Sequence, residues 1–339
     1  MVLEINTWNM VKFAPYYLRV KQAGERMNPK TLSYIIKRIL LAVLTVWIVL
    51  TITFFVMHFV PGGPFASEKA ITPAAQAALE AKYGLDKPLM EQYWTYLVDA
   101  FTKFDFGPSL KQRGRMVIDV IKDGLKTSAK LGIIAAAWAT IVGVVLGAMA
   151  ALRRNTILDR VVMVISTAFV SMPSFIMGSL LLLFFSVKLG LVPANGETAK
   201  GLILPIITLG LSPMANIIRL TRSSMLDVLG QDYIKTAKAK GLSTSAVLFK
   251  HALPNALIPV VTYLGPMAAS VLTGSFVIET IFAIPGLGSY FVTSIYNRDY
   301  TVILGITLFY SAIVILMNML VDLIYPLLDP RIKLGERED

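Results

Sequence analysis

The 339-residue chain has no cysteine and only two histidines, His58 and His251, far apart in sequence. Disulfides and thiolate metal sites are excluded, and a histidine-rich metal or haem site lacks ligands. Charge is scarce as well: Asp, Glu, Lys and Arg make up 16% of the residues, against about 25% in a soluble domain. Catalytic signatures are missing. There is no HExxH, no GxSxG, and no glycine followed directly by lysine, so the GxxxxGK[ST] phosphate loop is absent. Gly286-Leu287-Gly288 follows Pro285 as a turn and lacks the strand and helix a nucleotide fingerprint requires. No cofactor is expected, a membrane enzyme has no constellation to support it, and energy must come from ions or from a partner. Ion coupling would call for acidic groups deep in apolar segments. Only Glu279 and Asp322 come near, both at segment ends, where a capping or interfacial role suffices.

What the chain has is apolar length: 55% hydrophobic residues and a mean hydropathy of +0.66. Runs of roughly 20 apolar residues cross a bilayer core, and six are found. They are Ile39 to Val60, Leu131 to Leu152, Val161 towards Val187, about Gly201 to Leu220, about Leu257 to Ile278, and Thr301 to about Leu323. The expected fold is an all-α polytopic membrane protein with six transmembrane helices. Gly132, Gly143 and Gly147 in the second run favour close helix approach in lipid. Pro173 is expected to kink the third. Pro205 and Pro213 punctuate the fourth; Pro259, Gly265, Pro266 and Gly274 punctuate the fifth. His58, at the far end of the first run, is expected at the interface.

Six crossings put both ends on one side, and basic residues choose the side. Positions 1–38 hold seven Lys or Arg, 153–160 three, 222–256 five, and the tail after 322 three. Both termini and the 222–256 loop are therefore expected in the cytoplasm. The 1–33 stretch reads as a cytoplasmic extension, 34–60 as the first crossing, 61–126 as an extracytoplasmic insert, 127–326 as a five-helix core, and 327–339 as a tail. Within the insert, Thr72-Pro73 reads as a helix start that Gly84 ends, Pro88 to Lys103 as a second helix, and Asp105-Phe106-Gly107 as a turn.

The polar stretch from Asp232 to Pro254 stands out. Ser223 to Lys240 reads as a helix running on from the fourth crossing, and Gly241 suits the left-handed position after its end. Ser243 is a good N-cap, with Leu242 and Val247 at the two positions of a hydrophobic staple. A short second helix is expected from Thr244 to about Leu253, with Pro254 after it. Val247, Leu248 and Phe249 give it an apolar side that fits a groove in a partner; an amphipathic loop on the lipid surface is the plainer alternative.

At these residues the chain resembles the permease subunits of ABC importers. Their EAA motif runs Glu-Ala-Ala, three residues, Gly, nine residues, Ile, one residue, Leu-Pro. Aligned on Gly241, the spacing brings Leu253-Pro254 onto its Leu-Pro and Ala237 onto its second Ala. Lys235, Thr236 and His251 depart from it in ways similar to the peptide and nickel branch, through KAKGL and HALPNA. HFVPGGPF, Ser171-Met172-Pro173-Ser174-Phe175, Arg219 to Met225, Glu279-Thr280-Ile281-Phe282 with Pro285-Gly286-Leu287-Gly288, Arg298-Asp299-Tyr300 and Asp329-Pro330-Arg331 also look like that branch, in order. The resemblance covers about Tyr34 to Lys333. It implies a type I importer permease fold in a bacterial or archaeal plasma membrane, carrying oligopeptides or dipeptides. Its implied partners are a second permease, two cytoplasmic ATPases, and an extracytoplasmic binding protein, with the insert and the 285–300 loop meeting the last. ATPase coupling would fall to Ala237, Gly241, Ser243, Val247, Leu248, Phe249, His251, Leu253 and Pro254. Nickel or oligosaccharide import by the same machinery remains open, as does, in another class, an ion-driven carrier.

Overall fold

The computed structural model describes residues 29–65, 72–272 and 276–328. Most of the 1–33 extension, the tail beyond 328 and Gly274 lie outside the described residues. Among those described there is no strand, only one isolated bridge between Pro108 and Met116. Among the described residues four helices are long and apolar enough to cross a membrane, and two bent helix pairs raise the number to six at most.

Helix α1 (Pro29–Phe59) packs along α13 (Tyr300–Leu328) and leaves much of its apolar surface uncovered, with Leu40 65% exposed. Such a face suits lipid or another subunit. The insert follows its sequence signals. Thr72 accepts the Ala75 N–H at 3.3 Å to start α2 (Pro73–Tyr83), and Gly84 ends it at φ 69°. Helix α3 (Leu89–Val98) widens into a π-turn, Asp99–Lys103. Gly107 at φ 78° then donates to the Asp105 side chain at 2.9 Å, closing the expected turn.

Five expected boundaries move. The second crossing begins inside the supposed insert: α4 runs unbroken from Val117 to Leu152, 36 residues, about 54 Å. Its N-terminal part is amphipathic, burying Val117, Val120, Ile121, Gly124 and Ser128 at helical spacing. The third crossing is not one kinked helix. Helices α5 (Ile157–Ser171) and α6 (Ser174–Lys188) bend by 109° at Met172-Pro173, because Pro173 cannot continue α5 and caps α6 instead. The helix after the fourth crossing is interrupted too: α7 (Ile203–Leu229) stops at Gly230, Gln231 is extended, and α8 (Asp232–Ala239) starts afresh with an acidic first turn. Finally, Pro254 does not end the short helix α9, which spans Thr244–Ala256 and meets α10 (Ile258–Leu272) at 46°. Pro254 has no N–H and crowds the carbonyl four residues back. The turn before it opens to π geometry over Val247–Ala252, Leu253 N–H reaching Leu248 O. The fifth crossing, expected through Ile278, is in helix α10 only to Leu272, and Ile278 belongs to α11 (Phe276–Ile281). Helix α12 (Leu287–Asn297) precedes α13.

The core is the contact of α4 with α7. A Cβ on Gly143 would lie 2.8 Å from Ile217, and one on Gly147 would lie 2.7 Å from Thr221 and from the Ile218 carbonyl. The Gly-x-x-x-Gly spacing lets the two backbones meet, as the small residues of that run led one to expect. Gly210 on α7 returns the favour, making room for the Trp138 ring.

Candidate functional site

The 222–256 region is tied to the helix core by one apolar cluster. Met225 of α7, Ile234 and Ala237 of α8, Val247, Ala252 and Ala256 of α9, and Ala151 at the end of α4 are all buried in it. Leu248 and Leu253 pack against its edge. Gly241 stands at φ 73° with open space around its Cβ position, so glycine is needed there for backbone conformation alone. Ser243 caps α9, its Oγ accepting the Ala246 N–H at 3.3 Å. Leu242 is exposed and outside the cluster that takes up Val247, so the expected staple does not hold Val247 in place.

The candidate residues therefore divide into two faces. Ala237 and Val247 point into the core. Phe249, 66% exposed, points out, with Gly241, Ser243 and Pro254 also exposed and Leu248, His251 and Leu253 half-buried at the margin. Asn255 locks the margin, donating to the His251 carbonyl at 2.8 Å and to the Tyr233 hydroxyl at 3.1 Å. An outward phenylalanine on a short helix whose other face is anchored is a projecting contact, not a core element.

A buried ion pair stands above this cluster. Asp159, in the first turn of α5, is 3% exposed. Arg222 of α7 grips it with two bonds, Nε to Oδ1 at 2.6 Å and a terminal guanidinium nitrogen to Oδ2 at 2.8 Å, and Asn155 N–H adds a third at 2.9 Å. It joins the 153–160 loop to the end of α7. Sequence reasoning did not single out this pair; the partners are 63 positions apart, and the only local signal was an acidic residue beside an apolar run.

The other end of the molecule carries two carboxylate locks. Glu279 of α11 is fully buried. It accepts from Ser128 Oγ of α4 at 2.7 Å and from the Gly288 and Ser289 N–H groups of α12 at 2.8 and 3.1 Å. Ser128 Oγ in turn accepts the Leu287 N–H at 2.9 Å. A Cβ on Gly286 would meet Glu279 Oε2 at 2.4 Å, so the turn after Pro285 must be glycine for the carboxylate to reach the helix N-terminus. The capping role expected for Glu279 holds; its exposure at an interface does not. Asp299, also buried, takes the Ser109 hydroxyl and the Leu110 N–H at 3.1 Å, joining the insert's last loop to the start of α13. Among the described residues no group of three or more His, Cys, Asp or Glu side chains is placed to hold a metal.

Residues 143–334 match the family described as the binding-protein-dependent transport system inner membrane component, and residues 31–128 match the N-terminal part described for the same kind of system. The chain belongs to this permease family. It is 52% identical over 305 residues to the dipeptide transport system permease protein of Bacillus subtilis (strain 168), covering 90% of this chain and 99% of that one. To the oligopeptide transport system permease protein of Haemophilus influenzae it is 45% identical over 305 residues, covering 89% and 99%. Among solved structures, an amino acid ABC transporter with histidines overlaps it at a TM-score of 0.50 and 16% identity, covering 63% of this chain and 95% of that one. That likeness supports the fold alone. The permease is thus a multi-pass membrane protein, and the Gly241 to Pro254 segment lies inside the matched region.

Proposed function

We propose that this permease forms half of the translocation pore of an ATP-driven, binding-protein-dependent importer of dipeptides or oligopeptides in a bacterial inner membrane. The observation that carries this reading is the 52% identity to a dipeptide permease over 99% of that relative's length. In this reading each bent pair counts as one crossing, giving six, with both termini cytoplasmic. The insert, which ends where α4 starts at Val117, lies outside with the 285–300 loop and meets the binding protein. The partners are a second permease and two cytoplasmic ATPases. Phe249 and the exposed edge of α9 touch the ATPase. Closure of the ATPase dimer on ATP pushes α9. The cluster around Met225 and Val247, and the Asp159–Arg222 pair above it, pass the push to α4, α5 and α7. The sequence has no GxxxxGK[ST] phosphate loop, and hydrolysis belongs to the partner.

Reconstitution tests this. Proteoliposomes with both permeases, the ATPases and the binding protein should take up a labelled dipeptide only with ATP inside the ATPase compartment, and a protonophore should leave uptake unchanged. Uptake that needs no ATPase and collapses with the protonophore would make the protein an ion-driven carrier. Topology is open to a simple assay because the chain has no cysteine. Single cysteines at Phe249 and at Tyr296 should react with an impermeant maleimide from opposite sides.

A further inference from the structure

Helix α7 has two unlike faces. Met214, Ile217, Ile218 and Thr221 are buried, and Gly143 and Gly147 of α4 meet the chain on that side. Ser212, Asn216, Arg219 and Ser223 lie on the opposite side, within an arc of about 60° at 3.6 residues per turn. None of these four is buried: the first three are half-exposed and Ser223 is exposed. A polar stripe along a membrane crossing does not face lipid. Such groups turn to a water-filled path or to one another.

The stripe carries one organised cluster. Arg219 donates to Asn216 Oδ1 at 3.0 Å, and Asn216 Nδ2 donates to the Tyr263 hydroxyl of α10 at 3.2 Å. A guanidinium only donates, so the Asn216 amide is fixed with its oxygen toward Arg219. The cluster's acceptors are thereby taken up internally. Left over are the other Arg219 N–H groups and the Tyr263 O–H proton, which have no acceptor among the described residues. The charge is unmatched as well. Arg222, about one turn further on, is gripped by Asp159, but no carboxylate of the described residues forms a salt bridge with Arg219. Nor does Arg219 reach for the helix end. Its partner Asn216 stands about one turn back along α7, which runs from outside to inside in the topology proposed above. A snorkelling arginine would turn the other way, toward the cytoplasmic surface.

We propose that Arg219 and Tyr263 line the translocation path and hold the C-terminal carboxylate of a peptide in transit. The inference rests on the transport reading above, which supplies the cargo: dipeptides and oligopeptides share that carboxylate whatever their side chains. Arg219 offers paired N–H groups to the two carboxylate oxygens, the fork geometry a guanidinium takes with this anion, and the Tyr263 hydroxyl donates a further bond. Asn216 is a positioning residue that ties the two donors together across α7 and α10. A cation open to water holds an anion weakly, so the site can release what it binds, as a path requires.

The test uses the reconstituted importer with its binding protein and compares labelled dialanine with dialanine amide. Arg219→Gln removes the charge and keeps a donor for Asn216. Uptake of dialanine should fall about tenfold in Arg219→Gln and about threefold in Arg219→Lys and Tyr263→Phe, while uptake of the amide changes less than twofold. The binding protein is the same throughout, so its own preference for acid over amide cancels in the ratio of ratios. A second measurement needs no delivery by that protein, and it decides alone if the amide is not delivered. Ser212→Cys places a single thiol in a chain without cysteine, about 10 Å from Arg219 along the helix. In the assembled transporter it should react about threefold or more faster with sulfonatoethyl than with trimethylammonium-ethyl methanethiosulfonate, and Arg219→Gln should remove that preference. Equal losses of acid and amide, or no loss, overturn the proposal. A thiol at position 212 that reacts with neither reagent puts this face against lipid or the second permease and overturns it too, as does a sulfonate preference that disappears when anionic phospholipid is present, which would make the ligand a lipid phosphate. Those outcomes leave the transport reading standing if wild type takes up dialanine with ATP. No ATP-dependent uptake by wild type defeats that reading itself.

Discussion

Replacing Glu279 by glutamine and by alanine should separate what the buried carboxylate contributes by charge from what it contributes by hydrogen bonding. Glutamine has the same shape. Its oxygen faces the Gly288 and Ser289 N–H groups, and its amide donates to Ser128 Oγ, so the three contacts of Glu279 survive. What is lost is a negative charge at the start of α12, worth about 0.5–2 kcal/mol at a helix N-terminus. Alanine leaves two buried N–H groups and one hydroxyl unmatched, at about 1 kcal/mol or more each. It also empties a side-chain volume, at about another 1–2 kcal/mol. The expected costs are therefore about 1 kcal/mol for Glu279→Gln and about 4–5 kcal/mol for Glu279→Ala. Thermal unfolding of the purified permease in detergent reads the difference, and hydrogen exchange at Gly288 and Ser289 shows where it arises. Equal losses in the two variants would mean that charge, not bond count, holds α12 to α4. An alanine variant within about 1 kcal/mol of wild type would refute the lock altogether.

The ion pair at the other end should respond on a similar scale. Arg222→Ala strands Asp159 and should cost about 3–5 kcal/mol, while Arg222→Lys keeps the charge without the two-point grip and should lose less; similar melting temperatures for wild type and Arg222→Ala would contradict this. Gly147→Ala puts a Cβ 2.7 Å from Thr221 and should cost about 2 kcal/mol by overpacking, measured as a lower detergent melting point. Phe249→Asp should leave the permease folded and ATP hydrolysis running while uptake falls at least tenfold, whereas Val247→Asp, which buries a carboxylate among Met225 and Ile234, should prevent stable insertion. Normal uptake in Phe249→Asp would remove α9 from the coupling path. Gly241→Pro demands φ near −65° where the chain stands at 73°, and should abolish uptake as well; a fully active Gly241→Pro transporter would show that this turn is not required.

Local chemistry was legible where a residue type has one strong reason to be where it is. Gly84 and Gly241 stand at positive φ, and Thr72 and Ser243 cap the helices expected of them. Apolar length located the crossings to within a few residues at Phe59 and Leu152. It failed where length is not the controlling quantity. The N-terminal part of α4 is polar enough to pass for loop, although Val117, Val120, Ile121 and Gly124 carry a helical period that a burial-based reading would catch. Pro173 announced a kink, not a break, and its 109° goes with α6 seating Gly178 against Thr208, Ile278 and Phe282, which no local window contains. The same holds for the division of α9 into an anchored and an exposed face. Val247 and Phe249 are equally apolar, and only the positions of α4, α7 and α8 decide which is buried.

The uninterrupted run of α4 has a mechanical consequence. Ser128, in the Glu279 lock, and Ala151, in the Met225 cluster, sit on one stiff rod with no proline between them. If that rod rocks about its close crossing at Gly143 against Ile217, its arms are unequal. Fifteen residues lead back to Ser128 and eight forward to Ala151, about 22 Å and 12 Å at 1.5 Å per residue. A small stroke delivered beside α9 would then reach the Glu279 lock nearly doubled, past neighbouring helices that are already bent at Pro173 and between α9 and α10.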